Sequence, residues 1–163
     1  MIDARPRHEK TMTDDDRRKT PELPTNVDEF NKAAGLILLQ LYASFPEPIN
    51  IDHAAIARAF GVEDVSWNAH MLPSGRSLSA LLSLTIGWLK MEGYTNAFGP
   101  HPAQSALLTE KGLRALNAIP PGLNGTVGTE LKKAVERGSR LDLSSIGELV
   151  GSTIGGFAKS MSS

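Results

Sequence analysis

The sequence predicts a mainly helical fold with one small β-hairpin, and three observations carry that expectation. Apolar residues recur at spacings of three and four through most of the chain after residue 26. Strand-like alternation is confined to short stretches around Ile49, Tyr94 and Ser105. Cysteine is absent from the 163 residues, so no disulfide framework or thiolate metal site takes the place of a hydrophobic core.

Hydrophobic residues make up 40% and charged residues 21%, which suits one globular domain with tails. Residues 1–25, opening MIDARPRHEKTMTDDDRRKT, mix charges and prolines without apolar period and read as a disordered N-terminal arm. That arm has no apolar h-region, and no run of eighteen apolar residues occurs, so neither a secretory signal nor a membrane span is expected. The expected location is the cytoplasm.

Order is expected from Asn26, read as an N-cap with Glu29 three residues on. Phe30, Ala33, Ala34, Ile37, Leu38, Leu41, Tyr42 and Phe45 then trace one stripe of a helix about nineteen residues long, stopped by Pro46 and Pro48. Ile49-Asn50-Ile51 reads as a short strand. Asp52 caps a helix from His53 to Phe60, which Gly61 ends. A polar stretch, 62–75, precedes a helix capped by Ser77 or Ser79 and running to about Met91. Its core residues are Leu78, Leu81, Leu82, Leu84 or Thr85, Trp88 and Leu89. Tyr94 to Phe98 and Ser105 to Leu108 form the expected hairpin around the turn Gly99-Pro100-His101-Pro102. Thr109 caps a helix from Glu110 to about Ala118, closed by Pro120-Pro121.

Trp88-Leu89-Lys90-Met91-Glu92-Gly93-Tyr94, followed by Leu107-Leu108-Thr109-Glu110-Lys111-Gly112-Leu113, resembles the passage from third helix to wing to fourth helix in the winged helix-turn-helix superfamily. The resemblance is to MarR-like and PadR-like bacterial regulators and covers roughly residues 27–119. The resemblance implies a winged-helix domain over 26–120, with residues 121–163 as a two-helix tail. It also implies a non-enzymatic DNA-binding or regulatory role. The third helix then enters the major groove and the wing reaches the backbone. On that reading the DNA contacts are Arg58, Arg76, Ser77, Ser79, Ser83 and Lys90, with His101 and Gln104 from the wing.

The charge distribution departs from this picture. Residues 30–120 carry six basic and six acidic side chains, and the third helix carries only Lys90, whereas phosphate-gripping domains show a basic excess. A protein-interaction adaptor is therefore the alternative reading. No metal or cofactor is expected, because His8, His53, His70 and His101 are scattered without ligand spacing. Gly122 to Gly128 lacks the lysine of a phosphate loop and reads as a connector.

Thr126 to about Gly138 is expected to form an amphipathic helix with Val127, Leu131, Ala134 and Val135 inward. In the last helix, capped by Ser144 or Ser145, Ile146, Val150, Ile154, Phe157 and Met161 share one stripe and Gly147, Gly151 and Gly155 its edge. Glycine in a helix interior costs about 1 kcal/mol relative to alanine. The glycine edge is therefore expected to let another helix approach, in the same chain or in a second copy. Double-stranded DNA, a protein partner and a second copy bound through this helix are the expected partners. Membrane contact by its apolar stripe stands behind them.

Overall fold

A computed structural model of the chain describes residues 24–63, 66–98, 105–120, 122–136 and 143–160, apart from the side chains of residues 143 and 155–160. The first helix, α1 (Thr25–Ser44), is the axis around which the other elements are laid. It begins one residue before the expected Asn26 cap. Pro24 takes the N-cap position, and its carbonyl accepts from the N–H groups of Val27 and Asp28 at 2.9 and 3.1 Å. Proline suits a helix start because its fixed φ is already helical.

The single stripe expected on α1 is corrected to burial on nearly every side. Ala33, Ala34, Ile37, Leu38 and Leu41 are buried as the periodicity requires, but so are Glu29, Asn31, Gly35 and Leu36. Phe45, expected within the stripe, is 41% exposed beyond the helix end. The additional burial comes from α5 (Val127–Glu136) and α6 (Leu143–Ser160), which pack on α1 and on each other. Residues 121–163 thus add Val127, Leu131, Ile146, Val150 and Ile154 to the same core as residues 26–120. Thr126 caps α5, its hydroxyl accepting from the Thr129 N–H at 3.2 Å. Ser144 and Ser145, expected before α6, lie inside its first turn.

Between these layers, α2 (His53–Ala59) is capped by Asp52, whose carboxylate accepts from the Ala55 N–H at 2.9 Å. Gln40 on α1 clasps the same cap residue, donating to the Asp52 carbonyl and accepting from its N–H. The stretch after α2 is more ordered than its polarity suggested. It holds a one-turn 3-10 helix, Trp67–Ala69, and a Met71–Ser77 bridge that turns the chain back at Gly75. Leu72 is buried, and the Glu29 carboxylate receives the Ser74 N–H at 3.0 Å, fastening the segment to α1.

Ser77 caps α3 (Leu78–Met91) through the Ala80 N–H. Strands β1 (Thr95–Phe98) and β2 (Ser105–Leu108) pair antiparallel from Thr95–Leu108 to Phe98–Ser105. The expected strand at Ile49 contracts to a single bridge, in which Ile49 and Ala106 exchange both backbone hydrogen bonds at 2.8 and 2.9 Å. The last element of this half is α4 (Glu110–Asn117), capped by Thr109.

The approach of α1 to α6 is set by glycine on both helices. A Cβ on Gly35 would lie 2.5 Å from Ile146 Cγ2 and 2.8 Å from Val150 Cγ2. One on Gly151 would lie 2.9 Å from Asn31 Nδ2, and one on Gly147 would lie 3.2 Å from Asp28 Oδ1. At Gly35 the buried Ile146 and Val150 methyls leave no room for another methyl group, whereas at Gly147 and Gly151 the near atoms are side-chain ends. Gly35→Ala therefore overpacks the interface and lowers stability by about 1–3 kcal/mol, despite the ~1 kcal/mol gain in helix propensity. Gly87→Ala on α3, where a Cβ meets nothing within 4 Å, raises it by about 0.5–1 kcal/mol. Denaturant melts of the two variants at low protein concentration check the opposite signs, and a stabilising Gly35→Ala contradicts the packing.

Candidate functional site

The motif that carries the sequence resemblance forms a joint between α3 and α4. Gly93 ends α3 with φ +75, and the Tyr94 N–H turns back to the Leu89 carbonyl at 2.9 Å. The chain leaves through the hairpin and returns at Thr109, whose N–H donates to the Tyr94 carbonyl at 3.1 Å and whose hydroxyl donates to the Gly93 carbonyl at 2.5 Å. Lys111 donates to the Glu92 carbonyl at 2.6 Å while its ammonium sits 4.4 Å from the Tyr94 ring centre. That ring stacks on Trp88, which meets Phe30 of α1 edge-on at 5.0 Å. Trp88, Gly93, Tyr94, Thr109 and Lys111 of the motif therefore brace the C-terminal end of α3 against α1 and α4.

Gly112 is needed there because a Cβ at that position would strike the Tyr94 carbonyl oxygen, a backbone atom that cannot swing away. Gly112→Ala destabilises by about 1–3 kcal/mol. A fall in thermal midpoint together with loss of the near-ultraviolet signal of Trp88 and Tyr94 tests this.

Held in this way, α3 buries Leu78, Leu81, Leu82, Thr85, Ile86 and Leu89. The open alternative between Leu84 and Thr85 falls to Thr85, which is fully buried and satisfies its hydroxyl on the Leu81 carbonyl at 2.7 Å. Leu84 is left 58% exposed and Met91 79% exposed. Gly87 between them faces open space, with Ser83 and Lys90 exposed on one flank. The outer face of the helix is therefore apolar, with a single cation at its edge. Sequence reasoning placed Leu84 among core candidates and passed over Met91. The available signal was the second 4-3-4 series, Ala80, Leu84, Gly87 and Met91, which runs beside the buried one.

Of the expected DNA contacts, Ser83 and Lys90 flank that face and the other described ones lie before α3, at its first turn or on α2. Arg58 is exposed in the last turn of α2, and Arg76 is exposed just before α3. Arg76 and Lys90 stand at opposite ends of the helix, about 21 Å apart along its axis at 1.5 Å per residue. That spacing exceeds the Debye length of about 8 Å at physiological ionic strength, so the two charges do not act as one patch. Ser77 commits its hydroxyl to the cap, Ser79 is half-buried and Ser83 is exposed. His101 and Gln104 lie outside the described residues.

The expected interaction helix is committed within the chain. Ile146, Val150 and Ile154 are buried, and Gly147 and Gly151 abut Asp28, Lys32 and Asn31 of α1. Of the two alternatives left open for the glycine edge, Gly147 and Gly151 take the one within the same chain, against α1. Gly155 and Phe157 belong to α6, but their surroundings and Met161 lie outside the described residues.

Among the described residues, no helix is long and apolar enough to cross a membrane, and no three His, Cys, Asp or Glu side chains gather as a metal site. The fold shifts the titration of His53. This residue lies edge-on to Trp67 at 5.8 Å with its Nε2 buried and without a hydrogen-bond partner. Burial pushes its pKa below the ordinary histidine value of 6.5, while the adjacent Asp52 carboxylate pulls the other way. The folded chain thus holds fewer protons than the unfolded chain as pH falls through about 6.5, so stability decreases there. His53→Phe keeps a ring edge against Trp67 but removes the titration. Its melts at pH 7.5 and 5.5 should show a smaller loss than wild type, and an equal loss assigns the pH dependence elsewhere.

The chain matches no protein-family model, no curated protein and no solved structure.

Proposed function

We propose that this chain is a winged-helix protein that works by binding other proteins through the outer face of α3. The observation that carries this reading is the exposure of Leu84 and Met91 around the open Gly87, on a helix whose only charged residue is Lys90. Apolar surface recovers free energy when another apolar surface covers it, about 25 cal/mol per Å². A phosphate backbone has nothing to offer those side chains. The element order and the Ile49–Ala106 bridge, which adds a third strand position beside the hairpin, support the winged-helix assignment. Fold alone does not select the partner, so the reading rests on the face.

The second reading is a DNA-binding regulator. It is favoured by the same element order and by the exposure of Arg58, Arg76 and Lys90. It requires α3 to approach the major groove with leucine and methionine foremost, where base reading calls for arginine, asparagine or glutamine.

A photo-crosslinking amino acid at Gly87, activated in cells, separates the two. The expected adduct is sensitive to protease and unaffected by nuclease. In parallel, binding to random duplex DNA should be weaker than about 10⁻⁴ M at physiological salt, without a salt slope. A nuclease-sensitive adduct, or DNA affinity that falls steeply with salt, overturns the protein-binding reading.

A further inference from the structure

We infer that the partner on the outer face of α3 is a second copy of this chain, paired antiparallel through Ala80, Leu84, Gly87 and Met91. This rests on the protein-binding reading and specifies it. The four residues follow the 4-3-4 spacing of an a/d seam, which packs helix on helix. Size then chooses the partner and its direction.

About a two-fold axis midway between Leu84 and Gly87, each large side chain meets a small one. Leu84 faces the partner's Gly87, and Met91 faces the partner's Ala80. Pairing in the parallel direction stacks like on like. It sets glycine opposite glycine and leaves a void where the exposed leucine and methionine need a receptor. Such size complementarity is a property of this helix with itself. A two-fold interface demands it, since both copies present the same residues.

The charges are compatible with it. Among exposed residues of the helix only Lys90 is ionised, on the flank shared with Ser83. Antiparallel pairing brings each Lys90 beside the partner's Ser83. It holds the two ammonium groups about 13 Å apart along the axis, beyond the Debye length of about 8 Å. Parallel pairing sets the two lysines on opposite flanks of the seam, so the direction of pairing rests on size. The close-packed glycines of α6 are already filled by α1, so α3 is the helix with an unfilled glycine between large apolar neighbours.

A seam of four layers covers less than the roughly 800 Å² per partner of a stable complex, so the dimer is weak and depends on concentration. Its function is then tuned by abundance: monomer when dilute, dimer when the chain accumulates or is held locally at high concentration.

The absence of cysteine makes the geometry directly testable in the full chain. Ala80→Cys and Met91→Cys proteins, each folded by circular dichroism, are oxidised alone and as an equal mixture. The antiparallel seam sets Ala80 opposite the partner's Met91. Two copies of the same position lie about 16 Å apart along the axis, too far for the ~7 Å Cα limit of a disulfide. The expected result is a crosslinked heterodimer in the mixture and monomer in each protein alone. Sedimentation from about 1 µM to 1 mM should show wild type dimerising, with Leu84→Asp weakening association at least tenfold.

Monomer at every concentration, or homodimer crosslinks at either position, overturns the proposal. Absence of a dimer alongside a protein adduct at Gly87 removes the second copy but keeps the protein-binding reading. A nuclease-sensitive adduct removes both.

Discussion

The structure depends on α1 being buried along almost its whole circumference. Every other α-helix among the described residues packs against it, and the β2 strand touches it as well. Where another helix crosses such a helix closely, small residues at the crossing let the two backbones approach. Gly35, Ala33 and Ala34 supply the thin places, and Gly35 in particular lets the Ile146 and Val150 methyls of α6 rest on the α1 backbone. The helix penalty of Gly35, about 1 kcal/mol, is offset by core burial worth about 1.5–3 kcal/mol for each fully buried Ile, Val or Leu.

From this axis the rest follows in two directions. On one side, α5 and α6 close over Asn31, Gly35 and Tyr42, with Gly128 of α5 abutting the Tyr42 ring and the Tyr42 hydroxyl donating to Asn117 of α4. On the other side, Phe30 begins an aromatic series through Trp88 to Tyr94, ending under Lys111. That series and the Thr109 cap fix the far end of α3. Its near end is fixed by the Ser77 cap and by the segment that Glu29 fastens to α1. A helix anchored at both ends and packed along its inner face presents its outer face in one orientation, which suits recognition by a rigid surface.

Much of this was legible because local chemistry and tertiary packing agree. Asp52, Ser77 and Thr109 were readable as caps, since a short oxygen-bearing side chain before an apolar period satisfies N–H groups that no helix can satisfy internally. The hairpin and the bounds of α3 followed from the same reasoning. The candidate site was less legible. Leu84 and Met91 have the composition of core residues, and periodicity says only that a stripe exists. Which of two adjacent stripes faces inward was decided at Thr85, whose hydroxyl is satisfied on its own helix and so can be buried without penalty.

The sequence by itself determined the mainly helical content, the hairpin, the caps of α2 and α4, and the neutrality of the third helix, all of which depend on neighbours a few residues apart. Only the tertiary structure decided that the glycines of α6 close on α1, that α1 is buried all round, and that Leu84 and Met91 face outward. Those outcomes depend on contacts between residues far apart in the chain, such as Gly35 with Ile146. An amphipathic pattern marks a surface to be covered, and only the packed chain shows which surfaces are already taken.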